Sequence, residues 1–321
     1  MNLFWKKLFG RLTVTAKFEK QQNDLRRDFE HYLKVEKSIE LEEYNALSHT
    51  IKSADFKEKK KTPQNHECKI QEQRYHELAK NPDIKFYAAT DAKRFDSIRN
   101  WKLTFADDFD WNTLEKSRWS FGFHYKSDAL LRNHSFANEQ QANNSGKNVS
   151  VNQGILHIAT KKEKVTASAW DSAKGFIEKE FHYTSDVIQS TVGFRQKYGV
   201  FQAKVRCSGK INHAFWLGAD KKMPLIKIFH YNGKEIKVGN IDSAGKKETS
   251  ITGLNPSSYY IYTLIWTEKE MIWLVNNLVV RRETVQIPNE AMYLAFNSFI
   301  PELQKPHEGL LEVDWVKAYS I

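Results

Sequence analysis

The distribution of glycine divides this 321-residue chain into two regions that cannot share one architecture. Of the 14 glycines only Gly10 precedes residue 100, and of the nine tryptophans only Trp5 does. The long glycine-free stretch is rich in Glu, Lys, Gln, Leu and Ala, which are strong helix formers. The sequence therefore predicts an α-helical N-terminal region over residues 1–99 and a domain of a different class over residues 100–321.

Capping residues indicate where the helices of the N-terminal region begin. Ser38, Ser53 and Asp91 stand at positions where a side-chain oxygen could accept from the first free backbone N–H groups of a helix. Pro82 fits the first turn of a further helix, where its missing N–H is not needed. We therefore expect several short helices.

Short strands with turn signals between them characterise the chain after residue 100. Turn dipeptides such as Ser208-Gly209, Asn232-Gly233 and Asn255-Pro256 separate runs of β-branched and aromatic residues. These runs include Ile155–Thr160, Phe201–Arg206, Tyr259–Trp266 and Met271–Val275. Many short strands of this kind predict a mainly β sandwich.

Charge and cysteine content exclude several classes of protein. The net charge of +10 is spread almost evenly between the two regions, whereas a nucleic-acid-binding arm would cluster its cations. No nucleic-acid partner is therefore predicted, although an acidic polysaccharide or an anionic membrane would be weakly attracted. Cys68 and Cys207 are too few and too far apart for a disulfide framework or a cysteine metal site, so both are expected to be reduced thiols.

The N-terminal segment Met1–Leu12 mixes aromatic and aliphatic residues with Lys6, Lys7 and Arg11. As a helix it would suit an anionic membrane surface, and packing on its own domain or on a partner protein is the alternative. The cations interrupt the apolar run, so no signal peptide is predicted. No run approaches the roughly 18 apolar residues of a membrane-spanning helix. The compartment is left open, with the cytoplasm as the default expectation.

From Lys102 onward, a series of motifs resembles family 16 of the glycoside hydrolases, the β-glucanase and laminarinase family. They come in the family's order, and they are Phe105–Asp110 with Trp119, Asn138-Glu139, Asn148–Ile158, Tyr198–Lys204, Ala214–Leu217 and Leu311–Tyr319. The resemblance implies a two-sheet β-jelly roll of the concanavalin A-like lectin and glucanase type, with one concave cleft.

One strand departs from the family where its chemistry should be. The family's segment E-I-D-I-(F)-E holds the nucleophile, an assisting aspartate and the acid/base, whereas Leu225–His230 reads L-I-K-I-F-H. Residues two apart on a strand share a face, and a bulge can return the sixth residue to it. The three positions are then Leu225, Lys227 and His230, and Lys221–Lys234 contains no Asp or Glu. A retaining glycosidase needs two carboxyl groups, so no catalytic residue is assigned.

The resemblance also suggests ligand-binding residues and a metal site. Aromatic and polar side chains expected at the cleft are Trp216, Trp119, Asn138, Asn297, Lys227 and His230, with Trp170, Trp111 and His213 as further candidates. Asp314 matches an aspartate that in the family often helps to hold a structural calcium; no other cofactor is expected.

Loss of the carboxylates predicts a catalytically silent protein that binds carbohydrate. Lys227 in place of an acid makes an anionic polysaccharide a candidate ligand. Two alternatives are a structural or interaction module that uses the jelly roll as a scaffold, and an active hydrolase with a relocated or histidine-based site. A binder should keep an open cleft with exposed aromatic groups, whereas a scaffold should bury Leu225 and close the groove.

Overall fold

The computed structural model describes residues 12–62, 65–124, 134–220 and 223–321. They form two compact units: one is Glu19–Asn100, and the other is Trp101–Ile321 together with the described residues up to Phe18. The predicted division near residue 100 into separable domains stays a prediction. Of the amphipathic segment Met1–Leu12, all but Leu12 lies outside the described residues. None of the described helices combines the length and the apolar character needed to cross a membrane.

The first unit is helical, as expected. Its helices are α1 (Thr15–Glu36, whose first turn belongs to the second unit), α2 (Ile39–Lys52), α3 (Ala54–Lys59), α4 (His66–Leu78) and α5 (Pro82–Ala89), followed by a 3-10 helix at Ala92–Phe95. They bury a small core of Val35, Leu41, Leu78 and Ile84. This unit has its own apolar centre, which is consistent with a separate domain.

The predicted helix starts are confirmed by the capping hydrogen bonds. Ser38 Oγ accepts from the Leu41 N–H at 3.2 Å and Ser53 Oγ accepts from the Phe56 N–H at 3.1 Å. Asp91 accepts from the Lys93 N–H at 3.0 Å and begins the 3-10 helix. Pro82 lies in the first turn of α5, where no backbone donor is needed.

The second unit consists of two sheets. The first contains β1 (Lys102–Asp107), β3 (Ser135–Phe136), β4 (Gln141–Asn143), β5 (Val149–Asn152), β6 (Ile155–Asp171), β7 (Gly175–Ser185), β9 (Gly199–Ser208), β14 (Tyr260–Trp266), β15 (Met271–Val275), β16 (Leu278–Glu283) and β18 (Gly309–Ser320). The second contains β2 (Ser120–Phe121), β8 (Val187–Gln189), β10 (Asn212–Gly218), β11 (Leu225–Asn232), β12 (Ile236–Asp242), β13 (Gly245–Ile251) and β17 (Tyr293–Phe299).

The two sheets pack into the predicted β-jelly-roll sandwich. The second sheet has the order β13-β12-β11-β10-β17-β8-β2, so β10, β11 and β17 lie together at its centre. Alternate residues of these strands face the first sheet; Phe215 and Phe296, for example, stack with ring centroids 4.5 Å apart in the core. The other face of the same strands is thereby free to carry a site.

The described residues before α1 are attached to the β unit. Leu12 is only 4% exposed and belongs to the sandwich core. Asn276, in the turn between β15 and β16, donates from Nδ2 to the Thr13 carbonyl at 2.8 Å. The neighbouring Asn277 accepts from the Thr13 N–H at 2.9 Å. The two asparagines of this turn therefore anchor the segment before α1 to the β unit.

Shortening Leu12 should destabilise the β unit. Leu12→Ala is expected to lower its free energy of unfolding by about 2–4 kcal/mol, because a buried side chain is removed and a cavity is left. Urea unfolding followed by tryptophan fluorescence reports on this unit, since all but one of the tryptophans lie after residue 100. Val14→Ala is the matched control, because Val14 is 67% exposed. Equal effects of the two substitutions would contradict the attachment.

Candidate functional site

A cleft of about 650 Å³ lies over the outer face of the second sheet. Among the described residues, its floor is formed by three neighbouring strands whose core-facing residues point the opposite way. The floor residues are Ala214, Trp216 and Gly218 of β10, Leu225, Lys227 and His230 of β11, and Tyr293, Asn297 and Phe299 of β17.

A β-bulge in β11 brings Leu225, Lys227 and His230 to this cleft. Opposite β10, Phe229 pairs with Phe215 but Lys227 already pairs with Trp216, so Ile228 has no partner of its own. The extra residue places Ile228 and Phe229 in succession in the core, and the side chains after them change faces. The strand therefore presents to the cleft the three residues that its motif predicted there.

The charge of Lys227 is compensated by Glu248 of β13. The two side chains lie on strands separated by β12, and the residue between them in register is Gly239. Because glycine has no side chain, Lys227 Nζ reaches Glu248 Oε1 across it at 2.8 Å. Lys246 approaches the same carboxylate at 3.1 Å. Burial would raise the pKa of Glu248, but the hydrogen bonds from the two lysines hold it below its usual value.

A chain of hydrogen bonds determines the tautomer of His230. Asn212 donates from Nδ2 to Gln304 Oε1 at 2.6 Å, so its own carbonyl oxygen faces His230 Nε2, 2.7 Å away, as an acceptor. His230 therefore carries its proton on Nε2, and its Nδ1 accepts from Lys227 Nζ at 3.3 Å. Burial, reinforced by the Lys227 ammonium, lowers the pKa of His230 to about 3. The imidazole is neutral at physiological pH.

Two further carboxyl groups line the cleft. Burial raises the pKa of Glu139 to about 7, and its side chain accepts from Gln141 Nε2 at 2.6 Å. Asp220 is ion-paired with Arg195 and lies 3.1 Å from His124 Nε2. The hydrogen bond from Arg195 holds the pKa of Asp220 below its usual value. The cleft thus contains one carboxyl group that is partly protonated near pH 7 and one that is ionised.

Trp216 and Asn297, both expected at the cleft, are brought together there. The Trp216 indole N–H donates to Asn297 Oδ1 at 3.0 Å, and the ring meets Tyr293 edge to face at 5.8 Å. A Cβ on Gly218 would lie 2.5 Å from the Trp216 ring and 2.9 Å from the Tyr293 ring. Glycine at this position therefore leaves room for the two aromatic rings.

Several other candidates lie elsewhere. Trp119 is 2% exposed, and its N–H donates to Asp107 Oδ2 within the core, so its assignment to the cleft was wrong. Asn138 is exposed and is absent from the described lining, where Glu139 stands instead. His213 is buried between Ser298 and the Ser208 carbonyl.

The two remaining tryptophan candidates differ in position. Trp170 lines the cleft, whereas Trp111 is 69% exposed and is not part of the described lining.

Asp314 does not stand in a metal-binding environment. Lys204 Nζ lies 2.6 Å from its carboxylate, and the described residues contain no group of three His, Cys, Asp or Glu side chains suited to a metal ion. The Asp314 carboxylate is thus engaged by a lysine ammonium group, and the structural calcium stays a prediction.

Sequence reasoning missed Glu248 and Glu139. Glu248 lies on β13, outside the motif strand. It reaches Lys227 only because both residues are in register with Gly239 of the intervening strand β12. The sequence did indicate Glu139, because this residue belongs to the Asn138-Glu139 motif. Of the two residues, only Asn138 was predicted to contact a ligand. Neither the burial of Glu139 nor its raised pKa can be read from spacing.

Comparison with known proteins places these features in a family. The family model "Glycosyl hydrolases family 16" matches residues 136–317. Among curated proteins, the chain is 26% identical over 190 residues to the endo-1,3-1,4-beta-glycanase ExsH of Rhizobium meliloti, covering 54% of this chain and 39% of that protein. The chain thus spans about two-fifths of the length of this relative.

Solved structures share the fold. The catalytic domain of an endo-1,3-beta-glucanase (laminarinase) from Thermotoga petrophila superposes with a TM-score of 0.54 at 17% identity, covering 68% of this chain and 98% of that one. SCLam, a non-specific endo-beta-1,3(4)-glucanase, gives a TM-score of 0.58 at 21% identity, covering 69% of this chain and 92% of that one.

The raised pKa of Glu139 predicts how stability changes with pH. A carboxyl group whose pKa rises from 4.5 to about 7 on folding favours the folded state at low pH, and this contribution is lost as pH rises through about 7. Glu139→Gln mimics the neutral acid. Near pH 4.5 the variant and the wild type should have the same free energy of unfolding. Near pH 8 that of the variant should be higher, by at most about 3 kcal/mol.

Urea unfolding at the two pH values measures this difference. Glu178→Gln is the control, because Glu178 is an exposed strand residue. A Glu139→Gln effect that is the same at both pH values would contradict the assignment of a buried, neutral carboxyl group.

Proposed function

The chain belongs to glycosyl hydrolase family 16, and we propose that it is a carbohydrate-binding member that does not hydrolyse glycosidic bonds. The observation that carries this proposal is the cleft itself. It remains open, with about 650 Å³, while the three positions of the family's catalytic segment are occupied by Leu225, Lys227 and His230.

The side chains at these positions support a loss of catalysis. Leu225 has no nucleophilic atom. A general acid must be protonated at the working pH, whereas His230, with a pKa of about 3, is neutral and donates its one N–H to Asn212. The Lys227 ammonium is engaged by Glu248 and offers positive charge where a cationic transition state needs negative charge.

The other carboxyl groups near the cleft do not supply a replacement pair. Glu139 has the pKa of a general acid, but a retaining mechanism also needs an unengaged carboxylate ~5–5.5 Å away. Asp220 is paired with Arg195, and Glu248 is paired with two lysines. Both engaged carboxylates would have to give up charge-assisted hydrogen bonds before attacking a sugar carbon.

Binding is favoured over a purely structural role by the state of the groove. The scaffold alternative requires a buried Leu225 and a closed cleft, whereas Leu225 is partly exposed at its floor. Trp216 is also partly exposed there, beside the polar Asn297. An aromatic platform with an amide at its edge suits the apolar face and the hydroxyl rim of a sugar ring.

We further propose a neutral glycan as the ligand. The expectation of an anionic polysaccharide rested on the net charge of +10 and on Lys227 at the cleft, and Glu248, 2.8 Å from the Lys227 ammonium group, compensates the second of these charges. The matched relatives are named as β-1,3 and β-1,3-1,4 glucanases or glycanases, which favours a neutral β-linked glucan. A protein or membrane partner through the N-terminal helices stays a prediction.

The protein should release no reducing ends from β-1,3-, β-1,4- or mixed-linkage glucans or from sulfated galactans. Reducing-sugar assays with boiled protein as blank and an active laminarinase as reference test this expectation. Activity that copurifies with the protein and disappears in Glu139→Gln would instead establish a relocated acid and favour the alternative of an active hydrolase.

Glucan oligosaccharides should bind with little dependence on salt, and Trp216→Ala should weaken binding about tenfold by removing one aromatic contact. Calorimetry with neutral and anionic oligosaccharides at two ionic strengths measures both effects. Trp111→Ala is the control, since Trp111 is 69% exposed and outside the described cleft lining.

Two results would change this proposal. Tighter binding of a uronate or sulfated oligosaccharide, weakened by salt and by Lys227→Met, would restore the anionic ligand. Absence of binding to every glycan would leave the scaffold alternative.

A further inference from the structure

Five aromatic rings form a continuous wall at one part of the cleft. They belong to Phe123, His134, Phe136, Trp170 and Phe176, all of which line it; we call this set the aromatic compartment. Ring centroids lie 5.0 Å apart for Phe123 and Phe136 and for His134 and Phe136. His134 also contacts Phe176 at 5.6 Å, and Phe176 contacts Trp170 at 5.0 Å.

The β6–β7 hairpin contributes the two most exposed rings of the compartment. Trp170 and Phe176 pair directly across the hairpin, and they are 42% and 44% exposed. Large apolar side chains exposed at a cleft wall are costly to hydrate and are typical of binding sites. A ligand that covered these two rings would therefore gain the free energy of removing them from water.

The compartment offers little to a sugar ring. Glu139 lies beside the compartment, where its backbone N–H donates to the Phe136 carbonyl at 3.1 Å. Burial raises the pKa of its carboxyl group to about 7. Three of the five rings are the phenyl groups of Phe123, Phe136 and Phe176, and hydroxyl groups enclosed against them would lose water without gaining hydrogen-bond partners. An alkyl or aryl group makes no hydrogen bonds to water, so it would lose none on entering the compartment.

The polar end of the cleft has a different character. There Trp216 lies beside Asn297, with Lys227 and His230 on the adjacent strand. One cavity thus combines a polar part, suited to a sugar, with an aromatic part, suited to an apolar group. The two parts match the two ends of an amphiphilic molecule.

We propose that the aromatic compartment binds an alkyl or aryl aglycone, so that the ligand is an amphiphilic glycoside with its sugar beside Trp216. This inference rests on the proposed carbohydrate binding and adds the chemical class of the ligand. The glycan would be attached to an apolar group that occupies the space between Phe123, Phe136 and Phe176.

The experiment compares laminaritriose with its octyl β-glycoside, both titrated into the full chain by calorimetry below the micelle concentration. The octyl glycoside should bind at least about tenfold more tightly, since each buried methylene contributes favourably, and with a more negative heat-capacity change. Trp170→Ala and Phe176→Ala should each reduce this advantage to about threefold or less, and Phe176→Ala should leave the affinity for free laminaritriose unchanged. Trp111→Ala should retain the full advantage.

Each other outcome overturns a defined part of the inference. Laminaritriose binding without an octyl advantage, or an advantage that survives both aromatic substitutions, would overturn the aglycone site and leave the proposed carbohydrate binding intact. Equal binding of octyl glucoside, octyl maltoside and octyl laminaritrioside would overturn sugar recognition and retain only an apolar site. Failure of every probe to bind would overturn both proposals.

Discussion

The candidate site depends on the β-bulge in β11. This strand must bury Ile226, Ile228 and Phe229 between the two sheets, and strict alternation cannot place the last two on one face. The unpaired Ile228 resolves the conflict and returns His230 to the outer face with Leu225 and Lys227. Core packing thus decides which three side chains this strand presents to the cleft.

A polar network surrounds Lys227 and His230 on the cleft side of β11. Gln304, Asn212, His230, Lys227 and Glu248 form one chain in which each donor faces an acceptor. Such a network satisfies buried polar groups that would otherwise be costly. The same contacts support the proposed loss of catalysis, because a lysine held by a carboxylate and a neutral histidine offer neither a nucleophile nor a protonated acid. What the cleft retains is its space and its aromatic surface.

The fold was largely predictable from local signals. Glycine distribution separated helix from strand, capping residues located helix starts, and ordered motifs identified the jelly roll. The site was predictable in part, through Leu225, Lys227 and Trp216 on the motif strands and through Asn297 and Trp170 outside them. Trp119 shows the limit, since a motif tryptophan suits a sugar platform and a core equally well. Its hydrogen bond to Asp107, which places it in the core, joins two residues of separate segments.

The sequence by itself determined the fold class, the strand that carries the site and the absence of carboxyl groups from that strand, because these depend on residue types and short periodicities. Only the tertiary structure decided the electrostatics of the cleft. Glu248 reaches Lys227 because Gly239 stands between them in two strand registers, and burial shifts the pKa values of Glu139 and His230. Charge compensation and desolvation depend on distances between remote segments, which no local pattern encodes.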